Sequence, residues 1–134
     1  MSETLLLDAS VLIALQFSDH IHHQLATRWF AERKPRFATC PITENALVKF
    51  TVRTVPNGTL LAGGLLEVLG AMEGHEFWPD DLPCSALPWR QIAGHRQVTD
   101  AYLVSLAKHH GGRLATLDES LAVVFPETML VKLS

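Results

Sequence analysis

The sequence predicts an α/β domain in which helices cover both faces of a mainly parallel sheet. Short apolar runs without helical periodicity alternate with longer segments whose apolar residues recur every three or four positions. The first apolar run, residues 4–8, suits a strand buried on both faces, and a short helix should follow with Ser10 as its N-cap. Because 134 residues have room for one core, we expect a single domain over residues 1–134.

The later elements continue this alternation. The spacing of apolar, glycine and proline residues predicts helices over 19–34, 41–53, 58–73 and 98–110, and strands over 36–40, 113–118 and 128–133. Residues 75–89 are rich in proline and aromatic side chains, so they predict an irregular connection with at most one short strand, over 75–79. Gly111 and Gly112 suit the end of the helix over 98–110, because glycine readily adopts the conformations that close helices.

The composition is typical of a globular protein of a reducing compartment. A chain that is 48% hydrophobic and 19% charged is neither disordered nor of low complexity. No apolar run approaches the ~20 residues of a membrane helix, and the first ten residues lack the basic start of a signal peptide. The two cysteines are far apart and suggest neither a disulfide framework nor a zinc site. We therefore expect a cytoplasmic protein without a membrane partner.

Two acids lie on the inward faces of predicted helices. Helical spacing places Asp100 on the same face as Leu103, Val104 and Ala107, all of which are apolar. The same test places Glu44 on the core side of the helix over 41–53. Carboxylates in these positions need a partner, because burying an unpaired charge is costly.

Two more acids, Asp8 and Asp118, each follow a predicted buried strand. In open parallel sheets, ligand sites gather beyond the carboxyl ends of the strands, so we expect the inward-facing acids to meet these two there. Clustered carboxylates raise one another's pKa and call for a cation, and an all-oxygen donor set favours Mg²⁺ or Mn²⁺. Such a site suits phosphodiester hydrolysis. Any one of these acids alone is more often a cap, a turn residue or a surface charge than a metal ligand, and it is the set of four that favours a metal site.

The net charge of −3 at first argues against a nucleic-acid partner, because phosphate binding depends largely on Lys and Arg. If four acids are gathered in one metal pocket, however, the rest of the chain is close to neutral. A bound dication would also reverse the sign of the pocket itself. The net charge therefore does not exclude RNA as a substrate.

With these acids identified, the chain resembles the PIN-domain ribonucleases, and most closely the toxins of VapBC toxin–antitoxin systems. The resemblance is carried by LLLDASVLIAL at the start, TENALVKF around Glu44, QVTDAYLVSLAKHHG around Asp100, and LATLD at Asp118. It runs through nearly the whole chain, and the TDAYL helix followed closely by LATLD is its most specific part. The resemblance implies a PIN-like three-layer α/β/α sandwich with a central, mainly parallel sheet.

The resemblance also implies a function. The chain would be a Mg²⁺-dependent endoribonuclease toxin that cuts structured RNA, such as tRNA or rRNA, with Asp8, Glu44, Asp100 and Asp118 as catalytic metal ligands. Ser10 and Thr116 match polar positions of the family's first and last motifs; Ser10 has a helix cap as an equal alternative, and Thr116 is also common in strands. Members of this family commonly form homodimers and are neutralised by a VapB-type antitoxin.

Other classes remain as alternatives. A housekeeping RNA-processing PIN nuclease would share the site but not the toxicity, and a noncatalytic RNA- or protein-binding PIN module would share the fold alone. A phosphatase of the haloacid dehalogenase type would need a second Asp where Ser10 stands. A receiver domain would need paired acids early in the chain.

The seven histidines are interpreted without a metal. The HIHH run over 20–23 matches no zinc pattern and suits an exposed helix start. His109 and His110 lie at the end of a predicted helix, where partial positive charge complements the helix dipole. Asp80 and Asp81 are expected to be turn residues.

Overall fold

A five-stranded, all-parallel sheet lies at the centre of the computed structural model, which describes residues 3–133. Its strands are β1 (Leu5–Leu7), β2 (Phe37–Thr39), β3 (His75–Phe77), β4 (Arg113–Thr116) and β5 (Met129–Leu130). Their order across the sheet is β3-β2-β1-β4-β5, and every neighbouring pair is parallel. The predicted α/β class is confirmed.

Helices cover both faces of the sheet. In the described residues these are α1 (Ala9–Gln16), α2 (His23–Arg33), α3 (Pro41–Thr54), α4 (Gly58–Ala71), α5 (Val98–His109) and α6 (Glu119–Val124). Because successive residues of a strand point to opposite faces, Leu6 packs with the α5 core while Leu5 and Leu7 pack with residues of α1 to α4. The two cores on either side of the sheet make the three layers expected from the resemblance.

The strand order reverses between β1 and β4. The chain adds β2 and then β3 on one side of β1, and α5 afterwards returns it to place β4 on the other side. A crevice forms at the carboxyl ends of two strands whose connections leave in opposite directions. Asp8 follows β1 and Asp118 follows β4 closely, so the topology places both acids at this crevice.

A tight turn joins α5 to β4 and fixes where β4 begins. Gly111 has a φ of 77°, which favours glycine, and Gly112 packs so closely that a Cβ there would collide with the carbonyl oxygen of Thr4. Gly112 also donates its N–H to the carbonyl of Ala107, which closes the helix. Both glycines therefore close α5, as predicted, and allow the chain to turn sharply into β4.

Some local predictions were wrong. The N-cap of α1 is Asp8, whose carboxylate accepts the Ala9 N–H, and Ser10 lies inside the helix. The strand expected over 128–133 has only two residues in the ladder, and α6, six residues long, was not predicted. The 75–89 connection does contain one short strand, β3, and three 3-10 turns follow it within residues 84–97. No helix in the described part of the chain is long and apolar enough to cross a membrane.

Candidate active site

Asp8 is held in the crevice through both of its carboxylate oxygens. Its Oδ2 accepts hydrogen bonds from the hydroxyls of Thr116 at 2.7 Å and Ser10 at 3.2 Å, and its Oδ1 accepts the Ala9 N–H at 2.8 Å. Burial nevertheless raises the pKa of Asp8 above its ordinary value, and the negative charge of Asp118 acts in the same direction. The protein thus fixes this carboxylate in place without supplying a counter-charge strong enough to offset its burial.

Asp100 lies in the first turn of α5, the helix that crosses between the two halves of the sheet. Burial is the largest cause that raises its pKa, and the charges of Asp8 and Asp118 add to it, bringing the pKa of Asp100 to about 6. The structure therefore brings these three acids into one electrostatically coupled group, although they are far apart in sequence.

Asp118 combines a place in this group with a structural task. It is the N-cap of α6, and its Oδ1 accepts bonds from the Ser120 hydroxyl at 2.6 Å and from the N–H groups of Ser120 and Leu121 at 2.9 and 3.3 Å. The Ser120 hydroxyl is the main reason that the pKa of Asp118 is lowered. Because all these bonds end on Oδ1, capping occupies only one carboxylate oxygen.

The hydroxyls of Ser10 and Thr116 connect the strand ends. Thr116 is fully buried; its Oγ1 donates to Asp8 and accepts the N–H of Asp118 at 3.1 Å. Ser10 Oγ accepts the N–H of Leu117 at 3.2 Å and lies 3.4 Å from Thr116 Oγ1. Both hydroxyls therefore hold the end of β4 against the start of α1.

Glu44 takes part in a different network. It lies in the first turn of α3, and its Oε2 accepts a 2.6 Å hydrogen bond from the Thr39 hydroxyl at the carboxyl end of β2. Since the single Thr39 hydroxyl proton is used there, the 2.8 Å contact between Thr39 Oγ1 and His75 Nε2 requires the histidine to donate. Burial lowers the pKa of His75, and the charge of Glu44 opposes that shift.

The Thr39–His75 pair was missed by the sequence reasoning. Thr39 is the last residue of β2, so it lies at the carboxyl edge of the sheet, where parallel sheets bind their ligands. Its position in the sequence could therefore have indicated a role at the site. His75 begins β3 and reaches Thr39 diagonally across two paired strands, a contact that no sequence pattern indicates.

The charges of Asp8, Asp100 and Asp118 are coupled, but the acids are not crowded together. In residues 3–133, no three of Asp8, Glu44, Asp100 and Asp118 place carboxylate oxygens within 4.8 Å of one another. This spacing suits Mg²⁺, which commonly uses one or two carboxylates and keeps several waters, better than it suits a closed protein cage. The donors at this edge are carboxylate and hydroxyl oxygens, the ligand type that hard cations prefer.

Comparison with known proteins agrees with this arrangement. The family model described as PIN domain matches residues 5–124, which is most of the chain. The chain belongs to the PIN-domain family. Over 119 residues, 89% of each chain, it is 46% identical to ribonuclease VapC29 of Mycobacterium tuberculosis, and over 127 residues it is 42% identical to ribonuclease VapC39 of the same organism.

Solved structures of PIN proteins share the fold. The crystal structure of M. tuberculosis VapC20, described as a sarcin–ricin loop cleaving toxin, superposes with a TM-score of 0.69 over 90% of this chain and 94% of that one, at 14% identity. PAE2754 from Pyrobaculum aerophilum superposes with a TM-score of 0.59 over 96% of this chain and 84% of that one, at 24% identity. These two structures confirm the fold, and the identity of 46% and 42% to the VapC ribonucleases confirms the predicted membership of the VapC-type PIN proteins.

Proposed function

We propose that this VapC-type PIN protein is a Mg²⁺-dependent endoribonuclease whose active site is the crevice occupied by Asp8, Asp100 and Asp118, with Glu44 as an adjacent fourth acid. One observation carries the proposal: burial, together with the charges of the neighbouring Asp8 and Asp118, raises the pKa of Asp100 to about 6. A protein that gathers like charges in this way gains from a cation that offsets them. The ribonuclease names of the VapC relatives supply the reaction class.

The residues present fit a hard dication. Asp8 and Asp100 would hold it directly, and Asp118 and Glu44 would complete the site from either side. When bound, such an ion supplies charge stabilisation to the phosphoryl group under attack. Mn²⁺ has similar ligand preferences and is expected to substitute.

The protein's own part is to position these acids. Thr116 and Ser10 fix Oδ2 of Asp8, and the backbone of Ala9 fixes Oδ1, so the carboxylate plane cannot rotate without losing hydrogen bonds. Thr39 holds Glu44 through a single short hydrogen bond to Oε2. RNA is a polyanion that clustered acids repel, so substrate binding and metal loading should be coupled.

Cleavage of total RNA by protein freed of antitoxin tests the activity. We expect cutting with Mg²⁺ or Mn²⁺ and none with EDTA, and Asp8→Asn should lower the rate at least about a hundredfold, as loss of an electrostatic catalytic group does. Asp19→Asn, a change at an exposed acid between α1 and α2, is the matched control and should cut normally. Cleavage that survives both EDTA and Asp8→Asn would refute the metal–carboxylate site.

We further propose that the substrate is structured RNA, tRNA or rRNA, and that a VapB-type antitoxin neutralises the enzyme in the cytoplasm. An acidic crevice is a suitable receptor for an arginine of such an antitoxin, because guanidinium groups pair well with carboxylates. Expression should arrest growth, Asp8→Asn should not, and a small gene adjacent to this one should rescue growth. Normal growth despite strong cleavage in vitro would favour the housekeeping alternative, and cut sites mapped after brief expression would identify the RNA.

We also propose that the protein forms a homodimer. Apolar side chains of α4 face solvent, with Leu60 88% and Val68 55% exposed, and such patches commonly mark contact surfaces. Light scattering of the antitoxin-free protein should give twice the chain mass, and a monomeric mass at micromolar concentration would count against the dimer.

A further inference from the structure

A second group of metal-ligand side chains lies away from the acidic crevice. Asp81, in the connection after β3, meets His109 and His110 at the end of α5, and one ligand atom from each lies within 4.8 Å of the other two. His110 Nε2 is 2.9 Å and His109 Nε2 is 3.6 Å from the same Oδ1 of Asp81. In the described part of the chain, no other three His, Cys, Asp or Glu residues meet this condition.

Hydrogen bonding alone does not account for this convergence. The His110–Asp81 contact is an ordinary hydrogen bond, whereas 3.6 Å is too long for one between His109 and Asp81. Two ligands bound to one tetrahedral Zn²⁺ at ~2.0–2.1 Å lie roughly 3.3–3.4 Å apart. The two separations from Asp81 Oδ1 bracket that value, and the three ligand atoms all lie within 4.8 Å of one another, so the cluster is close to the geometry that an ion requires.

The surroundings hold the site in place and leave room for solvent ligands. The ring of His110 stacks on the buried indole of Trp78 with centroids 4.6 Å apart and planes 11° apart. The site adjoins the carboxyl end of α5, where the helix dipole favours positive charge. Asp81 and His109 side chains are 45% and 44% exposed, so water could complete the coordination.

We infer that Asp81, His109 and His110 form a binding site for a borderline transition-metal dication such as Zn²⁺. Imidazole nitrogens select such ions over Mg²⁺, which prefers oxygen. His109 lies nine positions after Asp100 in α5, a rise of about 14 Å along the helix, so this site and the acidic crevice are distinct. Residues 78–97 connect β3 to α5, and a bound ion would link this connection to the end of α5. The ion would therefore have a structural role, independent of the nuclease chemistry.

Titration calorimetry on the full-length chain without a polyhistidine tag tests the inference. The titration is run in excess Mg²⁺, which occupies the acidic crevice, and under that condition Zn²⁺ should bind at one equivalent per chain and raise the melting temperature. His109→Gln should weaken Zn²⁺ binding at least about tenfold, because loss of a ligand costs no less than loss of its supporting hydrogen bond. This variant keeps the His110–Asp81 hydrogen bond and the Trp78 stack, so it should fold normally.

Two matched controls separate this site from others. His22→Gln changes an exposed histidine of the 20–23 run, whose ring lies 5.8 Å from that of His20, and should leave Zn²⁺ affinity unchanged. Asp8→Asn should also bind Zn²⁺ normally, because it alters only the acidic crevice. The inference is overturned by an absence of Zn²⁺ binding at sub-millimolar concentration, by binding that His109→Gln leaves intact, or by binding that His22→Gln abolishes.

Discussion

Thr116 is the residue on which the position of Asp8 depends most directly. Its hydroxyl is buried, donates to Asp8 Oδ2 at 2.7 Å and accepts the Asp118 N–H at 3.1 Å, so it connects two acids of the site. The hydrogen bond also opposes the effect of burial on the Asp8 carboxylate, since it lowers a pKa that burial raises. We therefore expect Thr116 to support both stability and metal binding at the proposed site.

Thr116→Val tests this double role because it keeps the side-chain shape and removes the hydroxyl. We expect the free energy of unfolding at neutral pH to fall by about 1–3 kcal/mol, since a buried carboxylate loses a donor. Mg²⁺ should also bind more weakly, because protonation of Asp8 would compete at a higher pH. Urea denaturation and a Mg²⁺ titration measure the two effects.

Thr116→Ser is the matched control, because it retains the hydroxyl and loses only a methyl group. Its Mg²⁺ affinity should stay near that of the wild type, even if packing costs some stability. Equal Mg²⁺ affinity for the Val and Ser variants would mean that the hydroxyl does not support the site.

At the scale of elements, α6 depends on the same acid that we assign to the metal. Asp118 caps this six-residue helix through Oδ1, and α6 contributes Leu121 to the core. Asp118→Ala removes both the cap and the charge, whereas Asp118→Asn keeps a good N-cap and removes the charge alone. The pair of variants thus separates the two roles of one side chain.

We expect Asp118→Ala to lower the free energy of unfolding by roughly 0.5–2 kcal/mol and Asp118→Asn to change it much less. Both should lower RNA cleavage, because both remove a carboxylate from the crevice. Denaturant melts and cleavage rates on the same samples supply the comparison. Full cleavage by a correctly folded Asp118→Asn would limit Asp118 to its structural task.

The elements also indicate how far the sequence could predict the site. The positions of Asp8 and Asp118 follow from the predicted ends of two strands, because ligand sites of parallel sheets lie at the carboxyl ends of the strands. The inward position of Asp100 follows from the helical spacing of apolar residues around it. The α1 cap was missed because Asp8 and Ser10 are both good capping residues two positions apart, and packing of the strand end decides between them.

Side-chain contacts between different helices and strands could not be predicted from the sequence. Glu44 has the right helical phase, yet its partner is Thr39, and the diagonal reach of His75 depends on the register of β2 and β3. The meeting of Asp81 with His109 requires the path of the 78–97 connection, which has no hydrophobic periodicity to predict it.

For the whole molecule, the coupled acids make stability depend on pH. The pKa of Asp100 rises from an ordinary 3.8 to about 6 in the folded state, and that of Asp8 rises too. Between these values the folded chain holds a proton that the unfolded chain has lost, so stability should fall as pH rises from about 4 to about 6. Asp118 and Glu76 act in the opposite direction. Glu76 lies in β3, and the hydrogen bond that it accepts from the Trp78 indole is the main cause that lowers its pKa. The pKa of Asp118 is lowered too, so both acids lose their stabilising contribution as the pH falls toward acid.

Asp100→Asn should therefore stabilise the metal-free protein in a pH-dependent way. In EDTA we expect it to unfold at a higher urea concentration than the wild type at pH 7.5 and at nearly the same concentration at about pH 3.5, where the Asp100 carboxyl is largely protonated in both the folded and the unfolded chain. Added Mg²⁺ should reverse the order at pH 7.5, since an ion that binds only the folded wild type stabilises it by mass action. Asp19→Asn, at an exposed acid, should show neither effect. If Asp100→Asn instead unfolds at the same urea concentration as the wild type at both pH values, with and without Mg²⁺, the carboxylates are not coupled. The proposed site would then lose the observation on which it rests.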